Sequence, residues 1–333
     1  MPKIAIDMMG SDKGPEALAE GIKRYLKEKK DASVLLFGNK ERLVPLFQDV
    51  SKERYEIIST SSIIPMEVKP LDFLRAKNSS MYQAILAVKE GRADGVLTAG
   101  STGGFVTGST ILLRNIEGVQ RAALCSPFPT KKSKVPAVVL DIGASNVNTP
   151  EEIYQFGLMG RVFYEAVFAK KDPSVYLLSN GTEEGKGTEE IVKAYQLMKE
   201  NHLPGFQGNV EARNALDGTH DIIVTPGYTG NIFLKSTEGM GKIMSDLIKE
   251  AFKKNLLTKI GYLFAHKGFV EMKAKMNYKQ YGGAILLGID GLAVKAHGNS
   301  DSFAFYCALK VVDEMIEKKV VPQLRELFQK QEA

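Results

Sequence analysis

Short apolar segments alternate with longer amphipathic segments along almost the whole chain. Several of the short segments are apolar throughout, as strands that are buried on both faces tend to be. They occupy residues 3–7, 33–38, 55–60, 94–100, 137–143, 174–180, 221–227 and 292–298. Strands that alternate with helices are typical of βαβ units. The pattern therefore predicts an α/β protein with three layers, α/β/α, and a mainly parallel sheet.

The longer segments have the apolar spacing of helices and the residues expected at helix ends. Pro15 opens the segment PEALAEGIKRYLKE, and Gly91 closes SMYQAILAVKEG. No internal repeat, low-complexity tract or long Gly/Ser/Pro linker stands out. We therefore expect one domain over residues 1–333, with a protruding amphipathic helical element at about 250–278.

Glycine-rich loops follow most of the predicted strands. They lie at residues 7–15, 99–104, 141–146, 180–188, 226–231 and 296–301. In an open parallel sheet the carboxyl ends of the strands form the ligand crevice, where glycines let backbone amides approach an anion. A tight βα turn explains any single loop of this kind, but the whole set favours a phosphate-binding crevice.

Neither of the two most motif-like loops fits a nucleotide fingerprint. GTEEGKGT has Gly187 where a P-loop needs Ser or Thr, and GSTGGFVTG lacks the G-x-G-x-x-G spacing. His and Cys residues are too few and too scattered for a zinc site. We therefore expect no cofactor and no bound metal.

Composition and charge narrow the class of protein. Of 333 residues, 44% are hydrophobic and 25% are charged, as in soluble globular proteins. Cys125 and Cys307 lie in apolar segments, as reduced core cysteines do. No signal-peptide pattern is visible, and no apolar run approaches the ~20 residues of a membrane span. Together these observations predict a cytoplasmic protein. The net charge of +5 is dispersed, which fits a solvated surface or attraction to an acidic partner or anionic lipid. We expect no nucleic-acid partner.

The ordered motifs resemble one family. They are IDMMGSDKGPE, KNSSM, AGSTGG, GNVEAR, GYTGN, YGGAILLG and KAHGNSDS, and together they cover nearly the whole chain. The chain resembles the bacterial phosphate acyltransferases of phospholipid synthesis, which transfer the acyl group of acyl-acyl carrier protein to inorganic phosphate. The resemblance implies a fold related to the isocitrate and isopropylmalate dehydrogenases and to phosphotransacetylase. It also implies a homodimer, peripheral association with the cytoplasmic membrane, and a downstream glycerol-3-phosphate acyltransferase.

The chain departs from the family pattern at four places. Ser11 stands where a second glycine is usual, Ser101 where asparagine is usual, and Pro226 where aspartate is usual. The segment ASNVN at 144–148 replaces an ANVDA-like sequence. Pro226 removes a carboxylate and a backbone donor, so no aspartate-dependent role is expected at that position.

Attack of phosphate on a thioester needs a held dianion and donors for the developing oxyanion, but no protein nucleophile. Lys186, in the loop EEGKG, is the candidate cation, with a solvated loop lysine as its alternative. Asn231 is the candidate oxyanion donor and alternatively a helix cap. His297 is a candidate substrate binder or a structural histidine.

Further binding residues belong to the glycine-rich loops and to one helix start. The candidate phosphate or substrate contacts are Asp7, Gly10, Gly100, Ser101, Thr102, Gly103 and Gly230. Arg75, Lys77 and Ser79, in RAKNSSMYQAI, suit a phosphate group or an acidic carrier protein, although Ser79 also suits a helix cap.

An apolar stripe at 256–264 is flanked by lysines. Its members are Leu256, Leu257, Ile260, Leu263 and Phe264. Their helical spacing predicts one apolar face, which contacts the membrane interface, a dimer partner or the core.

These features lead to one expected function and two alternatives. We expect an acyltransferase that converts acyl-acyl carrier protein and phosphate into acyl-phosphate. A phosphotransacetylase-like enzyme that uses acyl-coenzyme A and a noncatalytic scaffold of lipid synthesis remain the alternatives.

Overall fold

The computed structural model describes residues 1–65, 67–132, 135–275 and 282–332. These residues form an 11-stranded sheet covered by helices. The strands are β1 (Lys3–Asp7), β2 (Ser33–Gly38), β3 (Tyr55–Ser59), β4 (Gly95–Thr98), β5 (Ala123–Phe128), β6 (Ala137–Leu140), β7 (Val175–Ser179), β8 (Phe206–Glu211), β9 (Ile222–Val224), β10 (Ala284–Leu287) and β11 (Ala293–Lys295).

The helices alternate with these strands along the chain. They are α1 (Gly14–Glu28), α2 (Lys40–Leu43), α3 (Pro70–Arg75), α4 (Ser80–Lys89), α5 (Thr102–Leu113), α6 (Pro150–Phe168), α7 (Glu189–Glu200), α8 (Gly227–Lys253), α9 (Leu256–Lys275), α10 (Ser302–Glu317) and α11 (Val320–Glu332). Short 3₁₀ turns span Val44–Phe47 and Lys52–Arg54.

The sheet consists of two parallel groups that run in opposite directions. Its order is β3-β2-β1-β4-β11-β10-β5-β6-β9-β7-β8. Strands β10 and β5 form antiparallel pairs with each other and with their outer neighbours β11 and β6, and the remaining pairs are parallel. The mainly parallel sheet is therefore confirmed. The expectation that all the parallel strands end on the same side of the sheet is wrong. The carboxyl ends of β1, β4 and β11 lie on one side, and those of β6, β7 and β9 lie on the opposite side.

Every strand predicted from the apolar pattern is present, but β5, β8 and β10 were missed. Strands β5 and β10 form the antiparallel centre of the sheet, and β8 is an edge strand. The β5 segment ALCSPF contains Pro127 and the half-buried Ser126, so its apolar pattern is broken. Strand β8 contains Gly208, which weakens its strand pattern in the same way.

Helices cover both faces of the sheet. Leu18 of α1, Phe156 of α6 and Phe305 of α10 belong to the apolar cluster on one face. Phe73 of α3 and Phe105 of α5 belong to the cluster on the other. Both clusters are built from fully buried side chains, which confirms the three-layer α/β/α architecture.

Helices α8 and α9 form a hairpin. The ring of Phe252, near the end of α8, lies 5.4 Å from that of Tyr262 and 4.8 Å from that of Phe269, both on α9. The pair begins at Gly227, well before the expected start near 250. Residues 276–278 of the expected element lie outside the described residues. Within the described part of the chain, no helix has the length and apolar character needed to cross a membrane.

Candidate functional site

Three predicted loops meet where β1, β4 and β11 end side by side. Asp7 is paired in register with Thr98, and Thr98 with Lys295. Because side chains alternate along a strand, these three side chains lie on the face that α4 and α5 cover. The Thr98 hydroxyl donates to Oδ2 of Asp7 at 2.7 Å, and both residues are buried. We call Asp7, Thr98, Ser101, Lys295 and His297 the Lys295 cluster.

Close approach of the loops explains two of the predicted glycines. A Cβ atom on Gly10 would lie 2.7 Å from the Cα atom of Gly100, closer than real contacts allow. The Gly100 amide donates to the Thr98 hydroxyl at 2.9 Å. The amide of Asp12 donates to the carbonyl of Gly298 at 3.0 Å, which joins the first loop to the third. Gly10 and Gly100 are thus required by packing, whatever else they contact.

The N-terminus of α5 faces this cluster. Ser101 is the N-cap and is buried, and its hydroxyl accepts from the Gly104 amide at 3.2 Å. Thr102 and Gly103, in the first turn, are exposed. First-turn amides lack partners within their helix and carry the positive end of the helix dipole, so this end can bind an anion.

Lys295 is the principal residue of this site that sequence reasoning missed. Its side chain is only 7% exposed, and its ammonium group donates to the carbonyl of Ala296. Burial lowers its pKa to about 8, against the opposing influence of the nearby Asp12 and Asp7 carboxylates. The available signal was a lysine that ends an apolar strand inside the motif KAHGNSDS.

A second cluster lies at the carboxyl ends of β6 and β9, on the opposite side of the sheet from the Lys295 cluster. It surrounds the carboxylate of Asp141, which was not identified from the sequence. Oδ1 of Asp141 accepts from the amides of Leu124, Gly143 and Ala144 at 2.8–3.0 Å. Oδ2 accepts from the amide and hydroxyl of Ser145. Burial raises the pKa of Asp141, and these hydrogen bonds oppose that rise. The carboxylate therefore fixes the 141–145 loop.

The start of α8 docks on this second loop. A Cβ atom on Gly230 would lie 1.9 Å from the carbonyl oxygen of Asp141, so Gly230 has a packing role. The half-buried Asn231 lies next to Gly143, whose hypothetical Cβ would be 3.3 Å from the Asn231 amide carbon. Gly227 approaches Asp141 equally closely. We call the group Asp141, Ser145, Asn148, Gly227 and Asn231 the Asp141 cluster.

Two of the four departures from the family pattern, Pro226 and the segment 144–148, lie at this cluster. A Cβ atom on Gly227 would lie 2.3 Å from Oδ2 of Asp141, so this carboxylate lies close to the residue that follows Pro226. Asn148 of the ASNVN segment accepts from the Gly227 amide at 3.0 Å and from the Ser145 hydroxyl at 3.0 Å. The shifted asparagine thus joins the loop to the start of α8.

Lys186 lies in the exposed loop after β7, on the side of the sheet where the Asp141 cluster is found. Its backbone is held, because its carbonyl accepts from the Ser179 hydroxyl at 2.9 Å and its amide donates to Glu183. The neighbouring Glu184 pairs with Lys199 at 2.7 Å. The loop therefore presents the Lys186 ammonium without using Glu184 to neutralise it.

Helix α8 connects the two clusters. Asn231 lies in the Asp141 cluster, and Glu238 lies 3.8 Å from His297, in the Lys295 cluster. These positions are seven residues apart, hence on one face of the helix and about 10 Å apart along its axis. Strands β10 and β5 separate β11 from β6, so the clusters lie about 14 Å apart across the sheet. The half-buried Ser126 and Ala284 lie between them in the register of the sheet, and we call this surface beside α8 the groove.

The predicted carrier-contact residues lie on two elements, not at one helix start. Arg75 is the last residue of α3, is 80% exposed and lies 3.7 Å from Asp72. Lys77 is exposed between α3 and α4. Ser79 is fully buried, and its hydroxyl caps α4 by accepting from the Tyr82 amide.

The apolar stripe at 256–264 lies on the surface of α9. Leu256, Leu257, Leu263 and Phe264 are 73–87% exposed, and Ile260 is 43% exposed. The interpretation of this stripe as core is therefore wrong. The stripe is available to a membrane or to a partner chain.

Comparison with known proteins was made for sequence and for fold. A profile described as fatty acid synthesis protein matches residues 2–323. A phosphate acyltransferase of Fervidobacterium nodosum is 39% identical over 330 residues, which is 98% of each chain. A phosphate acyltransferase of Alkaliphilus oremlandii is 40% identical over 335 residues, 97% of this chain and 96% of the relative.

Solved structures with the same fold share little sequence with the chain. A phosphotransacetylase from Streptococcus pyogenes has a TM-score of 0.62 at 16% identity and covers 96% of this chain and 94% of its own. A branched-chain phosphotransacylase from Enterococcus faecalis has a TM-score of 0.60 at 14% identity, with 95% and 99% covered. These likenesses confirm the expected relation to the phosphotransacetylase fold. Because the family profile and the sequence relatives span nearly the whole chain, the chain belongs to the fatty acid synthesis protein family, which includes the phosphate acyltransferases.

Proposed function

We propose that the chain transfers a fatty acyl group from acyl-acyl carrier protein to inorganic phosphate. A phosphate oxygen attacks the thioester carbonyl, the carbon–sulfur bond breaks, and the carrier thiolate leaves and takes up a proton. The products are acyl-phosphate and the free carrier thiol. A downstream glycerol-3-phosphate acyltransferase would consume the acyl-phosphate.

The groove along α8 is the observation that carries this proposal. One end offers helix amides and a buried cation, and the other end offers an amide side chain and an exposed lysine. Attack on a thioester needs both kinds of group, one to hold an anionic nucleophile and one to stabilise the oxyanion. The strands that carry the clusters are about 14 Å apart, so phosphate and the thioester carbonyl would meet between the clusters, at the separation of about 3–3.5 Å that attack requires.

Direct attack by phosphate is supported by the state of the cysteines. Cys125 is fully buried, and burial raises the pKa of its thiol far above the usual range. Burial also raises the pKa of Cys307. Because the thiolate is the reactive form of cysteine, neither residue suits a covalent intermediate.

Asn231 and Lys186 would stabilise the transition state. Asn231 lies in the second turn of α8, and its side chain lies beside the loop that hydrogen bonds to Asp141 hold. Fixed donors of this kind act because they need no reorganisation when charge develops. The ammonium of Lys186 would reach the same oxyanion from the neighbouring loop.

Phosphate and the remainder of the substrate would bind at the other end of the groove. The amides of Thr102 and Gly103, in the first turn of α5, would hold phosphate together with Ser101, whereas the Gly100 amide already donates to Thr98 and would shape the loop. Asp7 and Gly10 would shape the pocket, and His297 would hydrogen-bond the substrate. Gly230 would keep Asn231 in place.

Charged residues near α4 would receive the acidic carrier protein. Arg75 and Lys77 are exposed there, whereas Ser79 is enclosed and would act through the cap of α4. The stripe Leu256–Phe264 would lie in the membrane interface, between flanking lysines that attract anionic lipid. On α8, Met240, Ile243, Met244 and Leu247 are 45–58% exposed at helical spacing, and they offer an apolar face for a homodimer.

One assay tests the proposal, namely phosphate-dependent loss of acyl-acyl carrier protein with detection of acyl-phosphate. Turnover should be much higher with the carrier thioester than with a coenzyme A thioester of equal chain length. The reverse preference would indicate a phosphotransacetylase-like enzyme. No turnover with either thioester would indicate a noncatalytic scaffold of lipid synthesis.

A further inference from the structure

Lys295 is a buried cation at the meeting point of three loops. The amide after it, that of Ala296, donates to the carbonyl of Thr98 at 2.8 Å, which fixes β11 against β4. Three residues beyond Thr98 the chain reaches Ser101, the N-cap of α5. The side chain of Lys295 lies on the sheet face that α5 covers, because Ala293 belongs to that face and side chains alternate. The side chain of Lys295 and the start of α5 therefore lie on the same face of the sheet.

Asp12 and Asp7 act on this ammonium group from a distance, but neither forms an ion pair with it. Among the described residues, no carboxylate lies within 4.0 Å of its nitrogen, and its one hydrogen bond is to the carbonyl of Ala296. Of these two carboxylates, that of Asp7 already accepts from the Thr98 hydroxyl and from the Met9 amide. A buried charge without a close partner is costly. An anion that reached this ammonium group would therefore gain a charge-assisted hydrogen bond.

Several carboxylates lie around the cluster, so a bound anion must gain more from the ammonium group and the helix amides than it loses through repulsion. Asp7 and Asp12 lie on the side of β1, His297 follows β11, and Glu238 reaches the cluster from α8. Helix α5 contributes no charged side chain, only its first-turn amides. A small dianion can accept from those amides and from the ammonium at once, whereas a carboxylate has fewer acceptor sites.

We propose that Lys295, together with the backbone amides at the N-terminus of α5, binds the inorganic phosphate that attacks the thioester. This inference rests on the proposed function, and it states which substrate each end of the groove binds. Phosphate held by Lys295 and the thioester carbonyl held by Asn231 meet between the two clusters, because attack requires a separation of about 3–3.5 Å. Lys295 neutralises part of the dianion and leaves one phosphate oxygen directed along the groove toward the carbonyl.

Calorimetric titration with inorganic phosphate, without any acyl substrate, tests the binding step alone. The variants are Lys295→Met, which removes the charge and keeps the length of the side chain, and Lys13→Met. Lys13 is exposed in the loop after β1, so its substitution makes the same charge change nearby. We expect Lys295→Met to weaken phosphate binding roughly ten- to a hundred-fold, as loss of a charge-assisted hydrogen bond does. Lys13→Met should bind as the unaltered chain does, and equal weakening in both variants would overturn the proposal.

A second measurement separates binding from a structural role. Because Lys295→Met removes an unpaired buried charge, its melting temperature without phosphate should be equal to or above that of the unaltered chain. Phosphate should raise the melting temperature of the unaltered chain, and chloride at equal ionic strength should not. A folded Lys295→Met variant whose melting temperature still rises with phosphate would overturn the proposal.

Chemical labelling of the unaltered chain covers the case in which Lys295→Met does not fold. Trace acetic anhydride acetylates neutral amines, and the acetylated lysines are then identified by peptide mass analysis. Inorganic phosphate should reduce acetylation of Lys295 and leave that of Lys13 unchanged. Unreduced labelling of Lys295 at saturating phosphate would overturn the proposal.

Failure of this inference and failure of the proposed function give different results. If Lys295→Met makes acyl-phosphate with an unchanged KM for phosphate, the inference is wrong and the function stands. If the unaltered chain binds phosphate through Lys295 but makes no acyl-phosphate, the function is wrong and the binding site stands.

Discussion

Nε2 of His297 lies 3.8 Å from Oε1 of Glu238, and this contact joins the loop after β11 to the middle of α8. Burial raises the pKa of the Glu238 carboxyl. The same helix begins at the Asp141 cluster, in the other parallel group of the sheet. Helix α8 therefore holds the two ends of the groove at a fixed separation.

Lys186→Ala should lower turnover about 10²–10³-fold, because a fixed cation near the oxyanion is lost. The melting temperature should not change, since the side chain is exposed. Steady-state kinetics and thermal unfolding of the same preparation check both statements. Lys199→Ala, which removes the partner of Glu184, is the control with the same charge change. Unchanged turnover in Lys186→Ala would make Lys186 a solvated loop residue.

Asn231→Ala should lower kcat with a smaller effect on KM, as expected for a hydrogen bond formed mainly in the transition state. Asn231→Asp is the informative second variant, because a carboxylate at this position repels the oxyanion and should be at least as damaging. Steady-state kinetics with varied acyl-acyl carrier protein measures both parameters. Asn231 does not cap α8, because Pro226 is the N-cap, so full activity together with a lower melting temperature would mean that Asn231 only packs α8 against the 141–145 loop.

Gly230→Ala should destabilise the protein by at least about 2 kcal/mol, because the added methyl would overlap the carbonyl oxygen of Asp141. Gly239→Ala, in the same helix, is the matched control, since its added methyl meets no atom within 4 Å. Gly239→Ala should stabilise the protein by ~0.5–1 kcal/mol, because alanine has a higher helix propensity than glycine. Denaturant unfolding of both variants measures the difference, and equal effects would contradict the docking of α8 on the 141–145 loop.

Leu257→Glu with Phe264→Glu should abolish binding to anionic liposomes and leave turnover on soluble carrier substrate largely intact. Both side chains are at least 80% exposed, so the change removes apolar insertion and adds repulsion without disturbing the core. Flotation and size measurement are run together, with Ile63→Glu/Leu71→Glu as an equally charged control. Conversion to monomer would indicate a dimer contact, and a folded dimer that still floats would exclude the membrane role.

The buried ammonium of Lys295 should make stability depend on pH. Its folded pKa of about 8 lies below the ~10.4 of an unfolded lysine, so between these values only the unfolded chain holds the proton. The free energy of unfolding should therefore gain a positive slope with pH over this window. Comparison of urea unfolding at pH 8 and pH 10 with that of Lys295→Met isolates the contribution, which should be absent from the variant. Equal slopes in both proteins would mean that Lys295 keeps its proton in the folded state.

The apolar pattern predicted the eight strands that helices follow or precede, because a strand buried on both faces reads as a continuous apolar run. It missed β5, whose segment contains Pro127 and the half-buried Ser126, and it also missed β10, although the segment AILL is apolar throughout. Without these two strands the reversal of direction at the centre of the sheet could not be inferred. The expectation that all strand ends lie together failed for that reason.

The candidate site also contains residues that the sequence indicated and residues that it did not. The glycine-rich loops correctly indicated where strands end, but many of those glycines, including Gly10 and Gly230, are required by contacts with a neighbouring loop. Lys295 and Asp141 were not recognised as site residues because each follows an apolar run. A single charged residue at that place indicates only that the strand ends. Only the register across β1, β4 and β11 brings Lys295 beside Asp7.

The length of α8 has a consequence for the route of the product. From Asn231 to the end of the helix at Lys253 the axis extends about 33 Å, at 1.5 Å per residue. An acyl chain occupies one leaflet of a bilayer, about 15 Å. If the tip of the hairpin rests on a membrane with α8 upright, a carbonyl in the groove is too far away for its tail to enter the lipid. Transfer of acyl-phosphate would then need departure from the groove, or tilting of the whole protein until the groove faces the lipid surface.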